Sequence, residues 1–310
     1  MFLFLPQKII KHLIVIEGPT ASGKTAVSVQ LAKELNTCIL SADSRQFYKE
    51  ISIGTAKPSL KEQENIKHYF IDSHNLKDQV SSAQFEKEAM TILEKEFKDK
   101  DFILLVGGSG MFIDALCIGL DPIPSSIEVR NEIQQELTDR GLSVLLNELK
   151  SKDPEYFLEV DQKNPMRVLR AIEAIRLSGE KYSELRKATP VPRPFKTHRF
   201  VINHERKTLY DRINKRVETM IDSGLIEEAE SVKKFRTFSS LNTVGYKELF
   251  EYFDGKISLG DAINLIKRNS RRYAKRQITW FKRHKDAIWI DFQSVQQIKE
   301  EILHFFETPK

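Results

Sequence analysis

The chain has 310 residues, 40% of them hydrophobic and 30% charged, which is enough apolar material for the core of one large or two modest domains. Its formal net charge of +5 is compatible with a nucleic-acid partner without requiring one. The two cysteines are far apart, which argues against a disulfide scaffold and predicts a reducing, cytoplasmic setting. No apolar run approaches the roughly 20 residues of a transmembrane helix, so we expect no membrane partner.

The first third of the chain alternates short apolar runs with helical patterns. The predicted strands are residues 12–17, 38–42, 68–71 and 102–106, and the predicted helices are residues 24–35 and 83–98. One face of the second helix carries Phe85, Ala89, Ile92, Leu93 and Phe97. This alternation predicts an α/β fold with a doubly wound parallel sheet, in which ligands bind at the carboxyl ends of the strands.

The pattern changes after residue 120. Residues 126–187 are helical in pattern with no convincing strand, and one of their helices is expected to end at Gly179. A proline-rich linker at 189–196 precedes a strand at 198–203 and three or four helices that continue to about residue 285. We therefore predict an α/β core at 1–120 and 195–310, with a helical C-terminal region, interrupted by a helical insert at 121–194.

The first predicted strand is followed by a phosphate-binding motif. The sequence "GPTASGKT" fits the P-loop pattern, and its members are Gly18, Pro19, Thr20, Ala21, Ser22, Gly23, Lys24 and Thr25. Backbone N–H groups of residues 20–25 are expected to surround phosphate oxygens, Lys24 to supply a cation, and the Thr25 hydroxyl to bind Mg²⁺. The motif does not identify the ligand. The strand that ends in "VGG" carries no acid, which argues against a motor or switch ATPase.

A carboxylate follows the second predicted strand. Asp43 begins "DSRQ", at the same edge of the sheet as the P-loop. Its side chain could accept a proton, bind Mg²⁺ or cap a helix, and the residue alone does not decide among these roles. The following "IGTAKP" adds a second polar turn with Thr55 and Lys57.

The C-terminal region contains a strongly basic stretch. Residues 267–285 include nine lysines and arginines and no acid, interleaved with Tyr273, Trp280 and Phe281. Such a stretch can bind phosphates and stack bases. The alternative is a solvated helix face whose aromatic residues belong to the core. We favour an RNA-binding face because nine cations without one acid exceed ordinary surface composition.

Six motifs resemble one family. "GPTASGKT", "SADSRQFYKEISIGTAKP", "LLVGGSGMFIDAL", "NPMRVLRAIE", "VGYKE" and "AKRQITWFKR" occur in the order seen in tRNA dimethylallyltransferases, across roughly residues 12–290. The resemblance implies transfer of a dimethylallyl group from dimethylallyl diphosphate to N6 of the adenosine that is 3′-adjacent to the anticodon. It further implies tRNAs reading codons that begin with U, an anticodon stem-loop as partner, Mg²⁺ as cofactor and release of diphosphate. We expect a monomer.

The resemblance also implies roles for individual residues. Residues 18–25 would hold the diphosphate, and Asp43 would accept the N6 proton, with Lys24 and Ser109 also catalytic. The residues expected next to the target adenosine are Asp43, Ser44, Arg45, Gln46 and Ser109. The other expected tRNA-binding residues are Arg130, Met166, Arg167, Val168, Leu169, Arg170, Lys247, Arg272, Lys275 and Arg276. Phe47 could pack against the adenosine or lie in the core.

The chain departs from the family pattern at three of these positions. Ser109 replaces a threonine but keeps the hydroxyl, Lys247 replaces an arginine, and Met166 stands where glutamine is frequent. Lysine keeps the charge and loses the planar guanidinium, while methionine loses the hydrogen bonds. None of these changes removes the diphosphate-binding loop or the base.

Three other functions are weighed against tRNA prenylation. Prenylation of a free adenine nucleotide would need neither the basic stretch nor the insert. A small-molecule kinase would share the P-loop but should have a lid with phosphate-binding arginines, which we do not identify. A non-catalytic, nucleotide-gated RNA-binding protein would not need the Asp43 carboxylate.

Overall fold

The structure is a computed structural model that describes residues 10–187 and 189–307. The predicted core at 1–120 and 195–310 therefore includes end residues that lie outside the described ranges. Six parallel strands form one sheet in the order β3-β2-β4-β1-β5-β6. The strands are β1 (His12–Glu17), β2 (Ile39–Ser41), β3 (His68–Tyr69), β4 (Phe102–Gly107), β5 (Lys196–Asn203) and β6 (Ile288–Asp291).

The strand alternation produces the predicted doubly wound sheet. β1 lies at the centre, where Ile14 pairs with Leu104 of β4 on one side and with His198 of β5 on the other. Leu13, Ile14, Val15 and Ile16 are all completely buried. A continuous apolar run suits a parallel strand that is covered on both faces.

Helices before and after the insert surround the sheet. They are α1 (Lys24–Glu34), α2 (Leu60–Gln63), α3 (Ser82–Glu96), α4 (Gly110–Cys117), α10 (Arg206–Asp222), α11 (Leu225–Ser231), α12 (Tyr246–Phe253), α13 (Leu259–Phe281) and α14 (Val295–Glu307). Val27 and Leu31 of α1 pack with Ile298 and Ile302 of α14 in one core cluster with the strands. The predicted apolar face of α3 is buried at Phe85, Ala89, Leu93 and Phe97, and Ile92 is half-buried.

The chain divides into two compact units. One contains the residues up to Cys117 and from Arg193 onward, and the other is Ile118–Pro192. The second unit is built from α5 (Ile127–Arg140), α6 (Leu142–Lys152), α7 (Pro154–Glu159), α8 (Pro165–Ser178) and α9 (Tyr182–Leu185). It has a core of its own, which includes Ile133, Leu149 and Ile172. α8 ends before Gly179, as predicted, with that glycine in the left-handed region.

Several element boundaries differ from the sequence prediction. β3 ends at Tyr69 rather than at residue 71, because the next residue, Phe70, has a φ of 63° and cannot continue a strand. β6 and α14 were not predicted, since a four-residue strand with one buried side chain gives little periodicity. No helix in the described part of the chain is long and apolar enough to span a bilayer.

Candidate active site

The first unit contains a cavity of about 1560 Å³ at the carboxyl ends of β1 and β2. Its wall is formed by the P-loop, the turn that starts at Asp43, the "IGTAKP" turn, and the facing sides of α10 and α13. The predicted residues that line it are Thr20, Ala21, Ser22, Gly23, Lys24, Thr25, Asp43, Ser44, Arg45, Gln46, Lys247, Arg272 and Arg276. Residues from four separate motifs therefore face one space.

The P-loop is held by side chains from distant parts of the chain. Arg212 Nε donates to the carbonyl of Ala21 at 2.8 Å, and a ring nitrogen of His204 lies 2.8 Å from the carbonyl of Ser22. The Thr20 N–H donates to Oε1 of Gln277 at 2.9 Å, and the Ser22 N–H donates to the Pro19 carbonyl at 3.2 Å. These two amides are bonded within the protein, which corrects the prediction that all amides of residues 20–25 face the ligand.

Two cations of the cavity lie in a partly buried environment. Lys24 Nζ donates to the carbonyls of Gly18 and Pro19 at 2.8 and 2.9 Å. Burial lowers the pKa of Lys24 to about 8, against the opposing effect of the Asp43 charge. Arg216 of α10 donates to the Thr20 hydroxyl at 3.3 Å, and burial likewise lowers its pKa. A cation that loses hydration without an ion pair is poised to bind an anion.

Asp43 lies in a turn rather than at the start of a helix. Its Oδ1 accepts the N–H of Arg45 at 3.2 Å, and its carbonyl accepts the N–H of Gln46 at 3.0 Å. The helix-cap alternative is therefore wrong, although the carboxylate does cap its own turn. Burial lowers the pKa of both Lys24 and Arg216, and the Asp43 charge opposes that lowering in each case, so the acid and the two cations share one electrostatic environment.

Ser109 lies behind the wall of the cavity rather than on it. Its hydroxyl accepts the N–H of Ser44 at 3.1 Å and is 3.2 Å from the Ser44 hydroxyl. Burial raises the pKa of the neighbouring Tyr273 of α13 to about 12 with a further contribution from the Asp43 charge, and interaction with the Ser109 side chain opposes this rise. Ser109 thus joins the loop after β4 to the Asp43 turn through one hydroxyl.

The "IGTAKP" turn is anchored by an acid from α11. The two carboxylate oxygens of Glu228 accept the N–H groups of Ser52, Ile53 and Gly54 at 2.7–2.9 Å. Glu228 also accepts the Tyr246 hydroxyl at 2.6 Å.

The "IGTAKP" turn also holds Gln46, one of the residues expected next to the target adenosine. Nε2 of Gln46 lies 3.4 and 3.3 Å from the carbonyls of Thr55 and Ala56. The side chains of Thr55 and Lys57 donate hydrogen bonds to backbone carbonyls of the same loop region, and Lys57 also forms an ion pair with Asp72. These two side chains stabilise the wall of the cavity.

Phe47 is a core residue. It is completely buried and stacks on Phe85 with ring centroids 5.6 Å apart, and Phe70 and Phe112 pack around it. Packing against an adenosine is therefore excluded for its side chain. The aromatic residues of the basic stretch also point inward, because Phe281 is completely buried and the Trp280 Nε1 donates to Asp114 at 2.8 Å.

The cations of α13 divide into two groups. Lys267 forms an ion pair with Glu218, and Arg271 bonds to Asn214. Arg272, Lys275 and Arg276 are exposed, and the first and last of these also line the cavity. Part of the basic stretch is therefore structural, and these three cations are among those available for RNA, as is Arg268, which is exposed and lines the cavity.

The predicted tRNA-binding residues of the second unit are in unlike environments. Val168 and Leu169 are buried in the core of that unit, which corrects the prediction of RNA contacts by their side chains. Met166 and Arg167 are exposed at the start of α8. Arg130 and Arg170 both form ion pairs with Glu173.

The donor set of the cavity suits a magnesium ion that arrives with its ligand. No group of three or more Asp, Glu, His or Cys side chains in the described ranges could hold a metal by itself. The Thr25 hydroxyl and the Asp43 carboxylate are among the oxygen donors at the P-loop end of the cavity. Mg²⁺ commonly combines one or two protein oxygens with phosphate oxygens and water, so the residues fit such an ion.

Comparison with known proteins agrees with this geometry. The model of the IPP transferase family matches residues 46–284, more than half of the chain. The chain belongs to the IPP transferase family. A tRNA dimethylallyltransferase of Cytophaga hutchinsonii is 43% identical over 289 residues, covering 93% of this chain and 95% of the relative. The "tRNA dimethylallyltransferase 1" of Phocaeicola vulgatus is 45% identical over 294 residues, covering 94% and 97%.

Solved structures of IPP transferases have the same fold. The full-length tRNA isopentenylpyrophosphate transferase of Bacillus halodurans matches with a TM-score of 0.71 at 35% identity, covering 96% of each chain. A eukaryotic dimethylallyltransferase described as acting on tRNA matches with a TM-score of 0.77 at 26% identity. That match covers 93% of this chain and 75% of the other.

Sequence analysis of this IPP transferase missed three residues that shape the cavity. They are Arg216, Glu228 and Gln277. For Arg216 a signal existed, because it lies between Ile213 and Val217 on the apolar side of α10. Glu228 gave no signal, since its partners are backbone amides far away in sequence.

Proposed function

We propose that this chain transfers the dimethylallyl group of dimethylallyl diphosphate to N6 of the adenosine 3′-adjacent to the anticodon, in tRNAs that read codons beginning with U. The observation that supports this most strongly is that Lys24, Arg216 and Asp43 face one cavity. Two cations that can stabilise the leaving diphosphate and one proton acceptor therefore face the same reacting centre. Family membership supports the general reaction, and the cavity supports these residue roles.

The diphosphate would lie at the start of α1. The first N–H groups of a helix have no acceptor within the helix, and they carry a partial positive charge. Lys24 and Arg216 add two full charges, so they neutralise the negative charge that develops as the C–O bond breaks. Mg²⁺, held by Thr25 and the phosphate oxygens, would supply further charge neutralisation when bound.

The nucleophile is the exocyclic amine of adenine. Its lone pair is delocalised into the ring, so reaction needs an allylic carbon that tolerates positive charge and a positioned base. The N6 lone pair forms the new C–N bond, the C–O bond electrons leave with diphosphate, and the N6 proton passes to Asp43. The bond from Arg45 N–H to Oδ1 of Asp43 fixes the orientation of this carboxylate.

The target adenosine must leave its base stack to enter the cavity. Proteins usually read RNA sequence on such extruded loop bases. Ser44, Arg45 and Gln46 lie next to Asp43 on the cavity wall and would contact the base. Ser109 would act behind them, through its bonds to Ser44.

The anticodon stem-loop would be bound by cations around the cavity. Lys247, Arg272 and Arg276 line the opening, and Lys275 is exposed on the same helix as the last two. Exposed cations without carboxylate partners can release counterions from the RNA backbone, which favours binding. Met166 and Arg167 are exposed and are the remaining candidates from the insert.

The test is direct. The protein is incubated with unmodified tRNA, labelled dimethylallyl diphosphate and Mg²⁺, and the tRNA nucleosides are then analysed by mass. We expect label on the adenosine next to the anticodon of tRNAs for U-starting codons. Label on free AMP but not on tRNA would instead indicate nucleotide prenylation, and ATP turnover stimulated by a small metabolite would indicate a kinase. Absence of labelled tRNA would refute the proposal.

A further inference from the structure

Gln277 connects two loops of the active site through one side chain. Its Oε1 accepts the Thr20 N–H of the P-loop at 2.9 Å, and its Nε2 donates to the Gly108 carbonyl after β4 at 2.9 Å. The side chain is 6% exposed. We propose that Gln277 is a positioning residue, which holds the diphosphate-binding loop and the Ser109 loop in one fixed relation for prenyl transfer. This inference rests on the proposed function.

An amide is the side chain that these two partners require. The Thr20 N–H needs an acceptor and the Gly108 carbonyl needs a donor, and a glutamine end group offers both. The fit is also close, because a Cβ atom at position 108 would lie 2.2 Å from Nε2 of Gln277. The absence of a side chain at Gly108 therefore allows α13 to approach the loop after β4.

Gln277 is the middle residue of a continuous contact between α13 and the β4–α4 segment. Tyr273, four residues before it, lies beside Ser109. Trp280, three residues after it, donates to Asp114 of α4 at 2.8 Å. Residues spaced by three and four lie on one helix face, so one side of α13 follows this segment from Ser109 to Asp114.

The same helix carries exposed cations proposed to bind RNA. Arg272, Lys275 and Arg276 lie within five residues of Gln277 and on the exposed side of α13. A rigid helix fixed to RNA on one side and to the P-loop on the other joins the two substrate sites physically. Because such coupling is reciprocal, bound tRNA should tighten diphosphate binding, and Gln277 should carry this effect.

The test compares Gln277→Met and Gln277→Glu with the control Thr279→Ala. Methionine keeps the length but makes neither bond, and glutamate keeps the acceptor but loses the donor. Thr279 is exposed on the same helix, and its hydroxyl bonds only to a carbonyl of its own helix, so its loss should change nothing. The measurements are kcat, KM for the donor, tRNA affinity, melting temperature, and diphosphate affinity with and without unmodified tRNA.

We expect kcat to fall about 10²-fold in both Gln277 variants, since a small displacement of reacting groups has that cost. The affinity for tRNA alone should stay within about twofold, because the exposed cations remain on α13. Wild-type protein should bind diphosphate at least about fivefold more tightly with tRNA present, and both variants should lose this gain. The Glu variant should also raise KM for the donor, because it adds a negative charge beside the diphosphate.

Three results would overturn the inference. They are unchanged kcat in Gln277→Glu, coupling in both variants equal to that of the wild type, and a loss of activity that only follows the unfolded fraction. The binding measurements involve no prenyl transfer. A wild-type protein that couples tRNA and diphosphate but does not prenylate would therefore count against the proposed function and not against the role of Gln277.

Discussion

Arginines and lysines of the cavity and of the insert serve different purposes, although the sequence presents them alike. In the insert, Glu173 is completely buried and binds Arg130 at 3.0 Å and Arg170 at 3.0 Å. Arg176 is held by Glu136 and Glu148 at 2.8 and 2.6 Å. In the cavity, Lys24 and Arg216 bond to carbonyls or a hydroxyl, and within the described ranges neither forms an ion pair with a carboxylate.

The difference teaches that the partner of a cation, rather than its residue type, indicates its role. A cation paired with a carboxylate is neutralised by the fold itself, and breaking the pair destabilises the protein where the carboxylate is buried, as Glu173 is. A partly buried cation without such a partner costs free energy that a bound anion can recover. The carboxylate-paired arginines are therefore structural, and the cavity cations are available to a diphosphate.

The largest effect on the cavity is expected from Asp43→Asn, which removes the proton acceptor and leaves the shape of the cavity intact. We expect kcat to fall by about 10²–10⁴-fold, the usual contribution of a general base. The matched control is Asp139→Asn on the exposed side of α5, which should retain full activity. Prenyl transfer by Asp43→Asn at the wild-type rate would rule out this residue as the base.

Arg216→Gln tests a cavity cation against Arg176→Gln, its counterpart in the insert. Loss of Arg216 should lower kcat by about 10²–10³-fold, as for removal of one group that stabilises the leaving charge. It should not lower the melting temperature, whereas Arg176→Gln breaks paired hydrogen bonds to two carboxylates and should lower it, leaving kcat of the folded enzyme intact. Steady-state kinetics and thermal denaturation of both variants decide the matter. The reverse pattern would contradict the assignment of the two groups.

Glu173→Gln removes the charge that organises the insert. Arg130 and Arg170 would then lose their ionic partner, and the backbone N–H of Ser126 would retain only a neutral acceptor. We expect the free energy of unfolding to fall by about 1.5–3 kcal/mol, the range for hydrogen bonds to charged groups. Denaturant titration followed by circular dichroism measures this change. Unchanged stability together with weaker tRNA binding would show that these arginines bind RNA instead.

Charge reversal on α13 tests the exposed cations. The double variant Arg272→Glu with Lys275→Glu should weaken tRNA binding at least about tenfold at low salt. The slope of log affinity against log salt should also become shallower by roughly 1.4–1.8, since each lost phosphate contact contributes about 0.7–0.9. The control is Lys95→Glu with Lys98→Glu, two exposed lysines at the end of α3. An equal slope in wild type and double variant would exclude this RNA face.

The smallest expected effect is a pH dependence from Lys24. Its pKa of about 8 lies below the ordinary value of 10.5, so the cation loses its proton as pH rises through 8. Diphosphate should therefore bind about tenfold more weakly at pH 9 than at pH 7, because the charged fraction falls from about nine-tenths to about one-tenth over this range. Calorimetry should also show proton uptake on binding near pH 8.

The control for this pH series is Lys24→Arg, which stays charged throughout. Comparing it with the wild type separates titration of Lys24 from titration of the diphosphate itself. Parallel pH curves for the two proteins would show that Lys24 is not the titrating group.

Much of the central sheet could be predicted because its signals are local. The apolar run that forms β1 has the predicted bounds, and the P-loop begins α1 at Lys24 as its motif requires. Hydrophobic periodicity did not predict β6, because this strand is short and has only one buried side chain. It also could not separate Val168 and Leu169 from the exposed residues before them, because a motif does not show which side of a helix is buried.

The sequence alone determined the class of fold, the diphosphate loop and the acid that follows β2, because each depends on neighbouring residues and on strand-helix alternation. Only the tertiary structure decided which cations are neutralised by carboxylates, that Phe47 belongs to the core, and that Gln277 joins two loops. Those properties depend on partners that are brought together by folding, such as Gly108 and Gln277, 169 residues apart. Hydrogen bonds and ion pairs act over a few ångströms of space and leave no periodic pattern along the chain.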